Sequence, residues 1–294
     1  MHMARINTLL LLPAALIGSL LAKTAKAQVS VFDENRRGSL YFNIGTSSPS
    51  YKSSTIHINQ TASGNNYDLK DVNADNSSSK STGILSLSFR AGYLFNYNQS
   101  WGVELSYDPL AYHVTDQAVH VQGTIDGAAV SKDISFTKAN GYAYYLDGAN
   151  FLSVNLVHRF GIFRNKQRFF AIDLYAKAGA GPAMPHVYNT INGKTNETPQ
   201  FQTNGWALNG ELAARVTIVR HFSLEVAPKY IYANYNNVNV YNGTADQKLK
   251  VLTWTVSLGY AFSTTKHNPL FEKPAKSRRV LTIKRIYPDE PVGE

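Results

Sequence analysis

The residues Val251–Phe262, VLTWTVSLGYAF, constrain the fold more tightly than any other stretch of the chain. Leu252, Trp254, Val256, Leu258, Tyr260 and Phe262 fall on one parity, and Val251, Thr253, Thr255, Ser257, Gly259 and Ala261 on the other. Successive side chains of a strand point to opposite faces, so a period of two marks a strand. One of its faces is apolar and aromatic, the other small and mostly polar. A sheet in water buries the apolar face against a second layer. A barrel that crosses a membrane turns that face to lipid and keeps small or polar groups inside. One strand does not choose between them, so the rest of the chain must.

The pattern recurs seven more times. Gly38–Gly45 sets Leu40, Phe42 and Ile44 on one face, and Leu85–Phe95 sets Leu85, Leu87, Phe89, Ala91, Tyr93 and Phe95 outward. Trp101–Tyr107, Asn150–Phe160, Phe170–Ala180, Trp206–Ile218 and Phe222–Tyr232 alternate in the same way. The connections between them alternate in length. Thr46–Thr82, Asp108–Asp147, Gly181–Asn204 and Asn234–Lys248 are long and polar, and Asn96–Ser100, Gly161–Arg168 and Val219–His221 are short. Within the second long connection, Val119–Phe136 reads as a hairpin turning at Asp126-Gly127. Long connections on one side and short turns on the other are the habit of bacterial outer-membrane barrels, with the long ones outside the cell. Aromatics collect at the segment ends: Phe95, Trp101, Phe160, Phe170, Phe222 and Phe262 at one rim, Tyr107, Trp206, Tyr230 and Tyr232 at the other. The expected fold is all-β: an eight-stranded antiparallel up-and-down transmembrane β-barrel with long extracellular loops and a flexible C-terminal tail.

The first 27 residues read as a secretory signal peptide. Arg5 precedes the apolar run Thr8–Ala22, and Ala25-Lys26-Ala27 fits the small-x-small cleavage rule. Residues 28–262 are then the barrel, and 263–294 a basic, proline-containing periplasmic tail in which Arg278–Ile286 could add a strand to a partner. With no cysteine, lipoprotein anchoring and disulfides are excluded. No apolar run after the leader is long enough for a transmembrane helix. The formal charge is +9, and removing Arg5, Lys23 and Lys26 leaves +6. No basic helix offers this charge to nucleic acid, so outer-membrane lipids and lipopolysaccharide are the expected partners. The last strand is expected to engage the barrel-assembly machinery, and the protein to be a monomer.

Charged residues also occupy the inward parity. Arg90, Glu104, Arg159, Asp173, Lys177, Glu211, Arg215, Glu225 and Lys229 are five positive and four negative groups in a lumen with room for side chains and little else. Buried charges need partners, so an ion-pair network is expected to fill the barrel and leave no general pore. No nucleophile elbow, phosphate loop or zinc spacing occurs. His57, His113, His120 and His186 fall on the extracellular side. There His113, Asp147 and His186, with Glu104 or Asp108, could bind a divalent metal or act as base and acid. The residues call for no other cofactor.

The order of DGANFLSVNLVHRF (147–160), AKAGAGPAMPHVY (176–188), FQTNGWALNGELAARV (201–216) and the closing GYAF resembles the outer-membrane lipid A oxidase-like barrels, over roughly Leu85 to Phe262. Its most specific pieces are Asp147-Gly148, Asn150, and Gly179-Ala180-Gly181 running into Pro185-His186-Val187. The resemblance implies an enzyme that oxidises the proximal glucosamine of lipid A to an aminogluconate with oxygen. Glu104, Asp147 and His186 would be its working site, holding a divalent ion or carrying protons. Where relatives often carry a histidine after the third strand, this chain has Pro109. Two readings of function therefore stand: a non-enzymatic barrel with a structural or loop-mediated binding role at the envelope, which the residues favour, and a lipid A-modifying enzyme.

Overall fold

The computed structural model describes residues 38–76, 87–95, 100–165, 170–197, 202–218 and 221–263. The expected leader (1–27), residues 28–37 and the expected tail beyond Ser263 lie outside them, as do parts of the three short turns. The strands are β1 (Ser39–Tyr51), β2 (Ser54–Gln60), β3 (Asn65–Val72), β4 (Ala74–Asp75), β5 (Leu87–Leu94), β6 (Trp101–Val114), β7 (Gln117–Ile125) and β8 (Ala128–Phe136). They continue with β9 (Ala143–Arg164), β10 (Phe170–Ile191), β11 (Lys194–Glu197), β12 (Gly205–Ile218), β13 (Phe222–Val240) and β14 (Gly243–Ser263). Eight of these form an antiparallel ring in the order β1-β5-β6-β9-β10-β12-β13-β14. It closes by pairing β14 with β1, from Ser39↔Ser263 to Tyr51↔Val251. Closure leaves the ring without an open edge, which a sheet in lipid requires.

Exposure settles which way the alternation faces. Leu258 is 66% exposed and Ser257 beside it 4%, and Leu212 and Val154 are as open as Leu258. The apolar parity is thus the outer wall and the polar parity the lumen, the reverse of a sandwich in water.

That polarity inverts partway along the long strands, as β13 and β14 show. On β13 the inward residues run Glu225, Ala227, Lys229, then Ile231, Ala233 and Tyr235. The outward ones run Leu224, Val226, Tyr230 and Tyr232, then Asn234 and Asn236. On β14 the inward side passes from Gln247, Leu249 and Val251 to Thr253, Thr255 and Ser257, while the outward side passes from Lys248 and Lys250 to Leu252 and Trp254. A barrel wall with lipid outside needs an apolar exterior. The same wall with water outside needs an apolar interior, and the inversion marks the boundary between the two.

Here the structure revises the four long connections, which are mostly strand. Residues 46–82 carry the end of β1 and all of β2, β3 and β4, and residues 108–147 carry the end of β6, the β7–β8 hairpin and the start of β9. The third connection continues β10 and adds β11, and the fourth is the end of β13 and the start of β14. The hairpin turn at Asp126-Gly127 is present, with φ of 50° and 78°, the type I′ geometry. A second, at Asn192-Gly193, has φ of 50° and 71°. From β14 the sheet runs on through β2, β3, β7 and β8. Its inner side packs Ile56, Ile58, Leu69, Val119 and Val121 against Leu110, Tyr112, Phe151, Ile231 and Leu249. A water-type hydrophobic core therefore stands on top of the membrane barrel.

Candidate functional site

The lumen below this core is packed with charge. Lys177 on β10 is its hub, with Nζ 2.9 Å from Glu104, 2.8 Å from Glu211 and 3.1 Å from Glu225. Arg215 on β12 lies 2.5 Å from Glu225, and its guanidinium carbon sits 4.3 Å from the ring centres of both Tyr41 and Tyr175. Tyr41 in turn donates its hydroxyl hydrogen to Glu104 at 2.8 Å. Arg90 on β5 lies 3.6 Å from Glu211 and 3.9 Å from Glu104. Arg159 pairs with Asp173 at 2.8 Å, nearer the short-turn end. All nine of the lumen charges named from the sequence are buried and face the interior.

A tenth group completes the set. Asp108 is fully buried, 2.8 Å from Arg90 and 2.7 Å from Lys229. The sequence reading places it at the start of a loop, because the apolar outward face of its strand ends at Tyr107. Its parity, shared with Glu104 and Ser106, is the signal that finds it. With Asp108 these ten described groups are five cations and five anions, so the network that reads as unbalanced is matched. In a poorly solvated interior an unmatched charge is costly, and matching removes most of that cost.

The proposed working site is not assembled as a trio. Asp147 on β9 and His186 on β10 are cross-strand partners. His186 is half-buried on the outward parity of β10, the opposite wall face from Lys177. Glu104 pairs in register with Asn155 of β9, eight residues along from Asp147, which at ~3.3 Å per residue is about 25 Å. Its carboxylate is committed to Lys177 and Tyr41 inside the lumen. Among the described residues, no three His, Asp or Glu side chains are grouped to hold a metal ion. His113 is buried against Tyr145, with ring centres 4.6 Å apart. His57 and His120 make separate 2.7 Å contacts to Asp68 and Asp133 on the outer face of the distal sheet. The four histidines thus sit on four different strands, β2, β6, β7 and β10.

Two layers therefore stack inside the ring: the buried ion-pair network, and the aromatic and aliphatic core above it. The distal sheet then presents a broad polar outer face.

Residues 14–262 match the family model described as an outer membrane protein beta-barrel domain. No curated protein matches the chain in sequence. Among solved structures, the chain is similar to the outer membrane protein OprG from Pseudomonas aeruginosa, at 12% identity and a TM-score of 0.32, over 80% of this chain and 100% of that one. It is also similar to Ail, the attachment invasion locus protein of Yersinia pestis, at 16% identity and a TM-score of 0.31, over 77% and 99%. Neisserial surface protein A is a third, at 9% and 0.31, over 76% and 97%.

Proposed function

The chain belongs to the outer membrane protein beta-barrel domain family, and from that premise we propose that it is a closed membrane anchor whose folded extracellular sheet is its working surface. Family membership places it in the outer membrane. The single observation that carries the rest is the inversion of polarity along the strands. Ordered, water-facing β-structure projects well beyond the lipid band, on a barrel whose lumen offers no passage. A structural or binding role at the envelope follows, with outer-membrane lipids and lipopolysaccharide as neighbours. The closing strand β14, ending Gly259-Tyr260-Ala261-Phe262, would be the part that the assembly machinery handles.

The test combines three measurements on the full chain. The folded protein should fractionate with the outer membrane and shift its gel mobility on boiling. An epitope inserted at the Asp126-Gly127 turn should be accessible on intact cells. Planar bilayers should show no steady conductance. A stable open current, or a turn epitope reached only after lysis, overturns the reading.

The lipid A oxidase-like alternative keeps one supporting observation, the register of Asp147 opposite His186. It is tested separately, by mass spectrometry of lipid A from cells with and without the gene. We expect no mass difference, and a gain of one oxygen atom that depends on His186 would install the enzyme reading instead.

A further inference from the structure

Three lysines stand together where the outer wall changes from apolar to polar. On β14, Lys250 and Lys248 occupy the two outward positions directly above Leu252 and Trp254. Lys52 continues the β1 ladder past Tyr51, and its backbone N–H donates to the Lys250 carbonyl at 3.0 Å. All three side chains are exposed. None forms an ion pair among the described residues. The carboxylate nearest along the same face of β14, Asp246, accepts a hydrogen bond from the Asn237 backbone N–H at 2.7 Å. Like charges on adjacent strands repel, and among the described residues no carboxylate forms an ion pair with any of the three.

The surroundings indicate what would offset the repulsion. Tyr232 lies opposite Lys250 on β13, and its ring centre is 5.7 Å from that of Trp206. An aromatic pair at a polarity boundary belongs at the headgroup level of a bilayer. Below the lysines the exterior is lipid-facing, above them it is wet. Lysine stems can lie along the wall while their ammonium groups reach the headgroups. A partner here must be anionic above and apolar below.

We propose that Lys52, Lys248 and Lys250 form a docking site for the phosphorylated headgroup of an outer-leaflet glycolipid, with its acyl chains along Leu252 and Trp254. This rests on the outer-membrane reading above, with the long-connection end outside. The site fixes one side of the barrel to the leaflet and orients the distal sheet over it.

The full chain, folded in neutral detergent, would be titrated with lipopolysaccharide, with the same material after chemical dephosphorylation, and with inorganic phosphate. Wild type should bind the phosphorylated form, and the triple variant K52Q/K248Q/K250Q should bind it at least about tenfold more weakly. The triple Lys→Arg variant should retain binding, as should K70Q/K132Q, which removes lysines from the distal sheet. Three results each overturn the proposal: wild-type affinity in the triple Gln variant, equal binding of dephosphorylated glycolipid, or displacement by inorganic phosphate at equal concentration. Gel mobility before and after boiling shows that each variant is folded. A chain that misses the outer membrane fails the anchor reading, whereas one that reaches it and binds without the lysines fails only this proposal.

Discussion

Lys177 shows how much a single side chain holds in a closed lumen. It has no exposed surface and touches three carboxylates from three different strands. Lys177→Met keeps the bulk and removes the charge, leaving Glu104, Glu211 and Glu225 to share Arg90, Arg215 and Lys229. Breaking a buried network in this way should cost about 3–5 kcal/mol. Urea unfolding in detergent reads the loss, and a cost under about 1 kcal/mol would mean that water reaches the site. Asp108→Asn should resemble it, since it strands Arg90 and Lys229. Parity alone marks nine of these charges from the sequence. The tenth escapes because the outward neighbour of Asp108 is Pro109, which ends the apolar run that defines the segment.

At the scale of the element, β14 carries the boundary between two solvents in one strand. Its outward residues from Leu252 to Phe262 face lipid, and Lys250 and Lys248 face water. A lysine placed on a lipid-facing wall costs about 2–4 kcal/mol at mid-bilayer and about 0–1 near the interface. Val256→Lys should therefore cost several times more than Leu252→Lys in unfolding experiments. Equal costs would place the boundary elsewhere. The same strand explains the misread connections. From Asn234 to Lys248 the exterior is mainly Asn, Thr, Asp and Lys, which reads as loop when an apolar exterior is the search pattern. Yet Val238, Val240, Ala245 and Leu249 keep the inward alternation, across a bulge where Asn237 takes φ of 54°. Asn192-Gly193, a strong hairpin signal, likewise sits inside a stretch that reads as loop.

The whole molecule is two packing regimes stacked on one ring, and alkali should separate them. In the distal core the Tyr112 phenol is pushed up to about 12 from 10.0 by burial, with hydrogen bonds to Ser54 and Gln247 pulling it back. Burial also raises Tyr51, Tyr67, Tyr144 and Tyr235. The folded core keeps protons that the unfolded chain releases. Its stability is therefore complete below about pH 10 and falls between about pH 10 and 12, by up to about 1.4 kcal/mol per pH unit for each such group. Phenolate absorbance should appear late and together with loss of distal sheet structure. Gradual titration around pH 10 would show that these rings are not held in a closed core. The ring is legible in the chain alone: eight alternating segments, their inward and outward faces, and most of the lumen charge. A period of two is local, and lipid outside makes it legible. Three things come from the folded arrangement: that the long connections are sheet, that Asp108 pairs with Arg90 and Lys229 in the lumen, and that Glu104 stands far from Asp147 and His186. Each depends on which strands lie side by side and in what register, and hydrogen bonding between segments distant in the chain sets that.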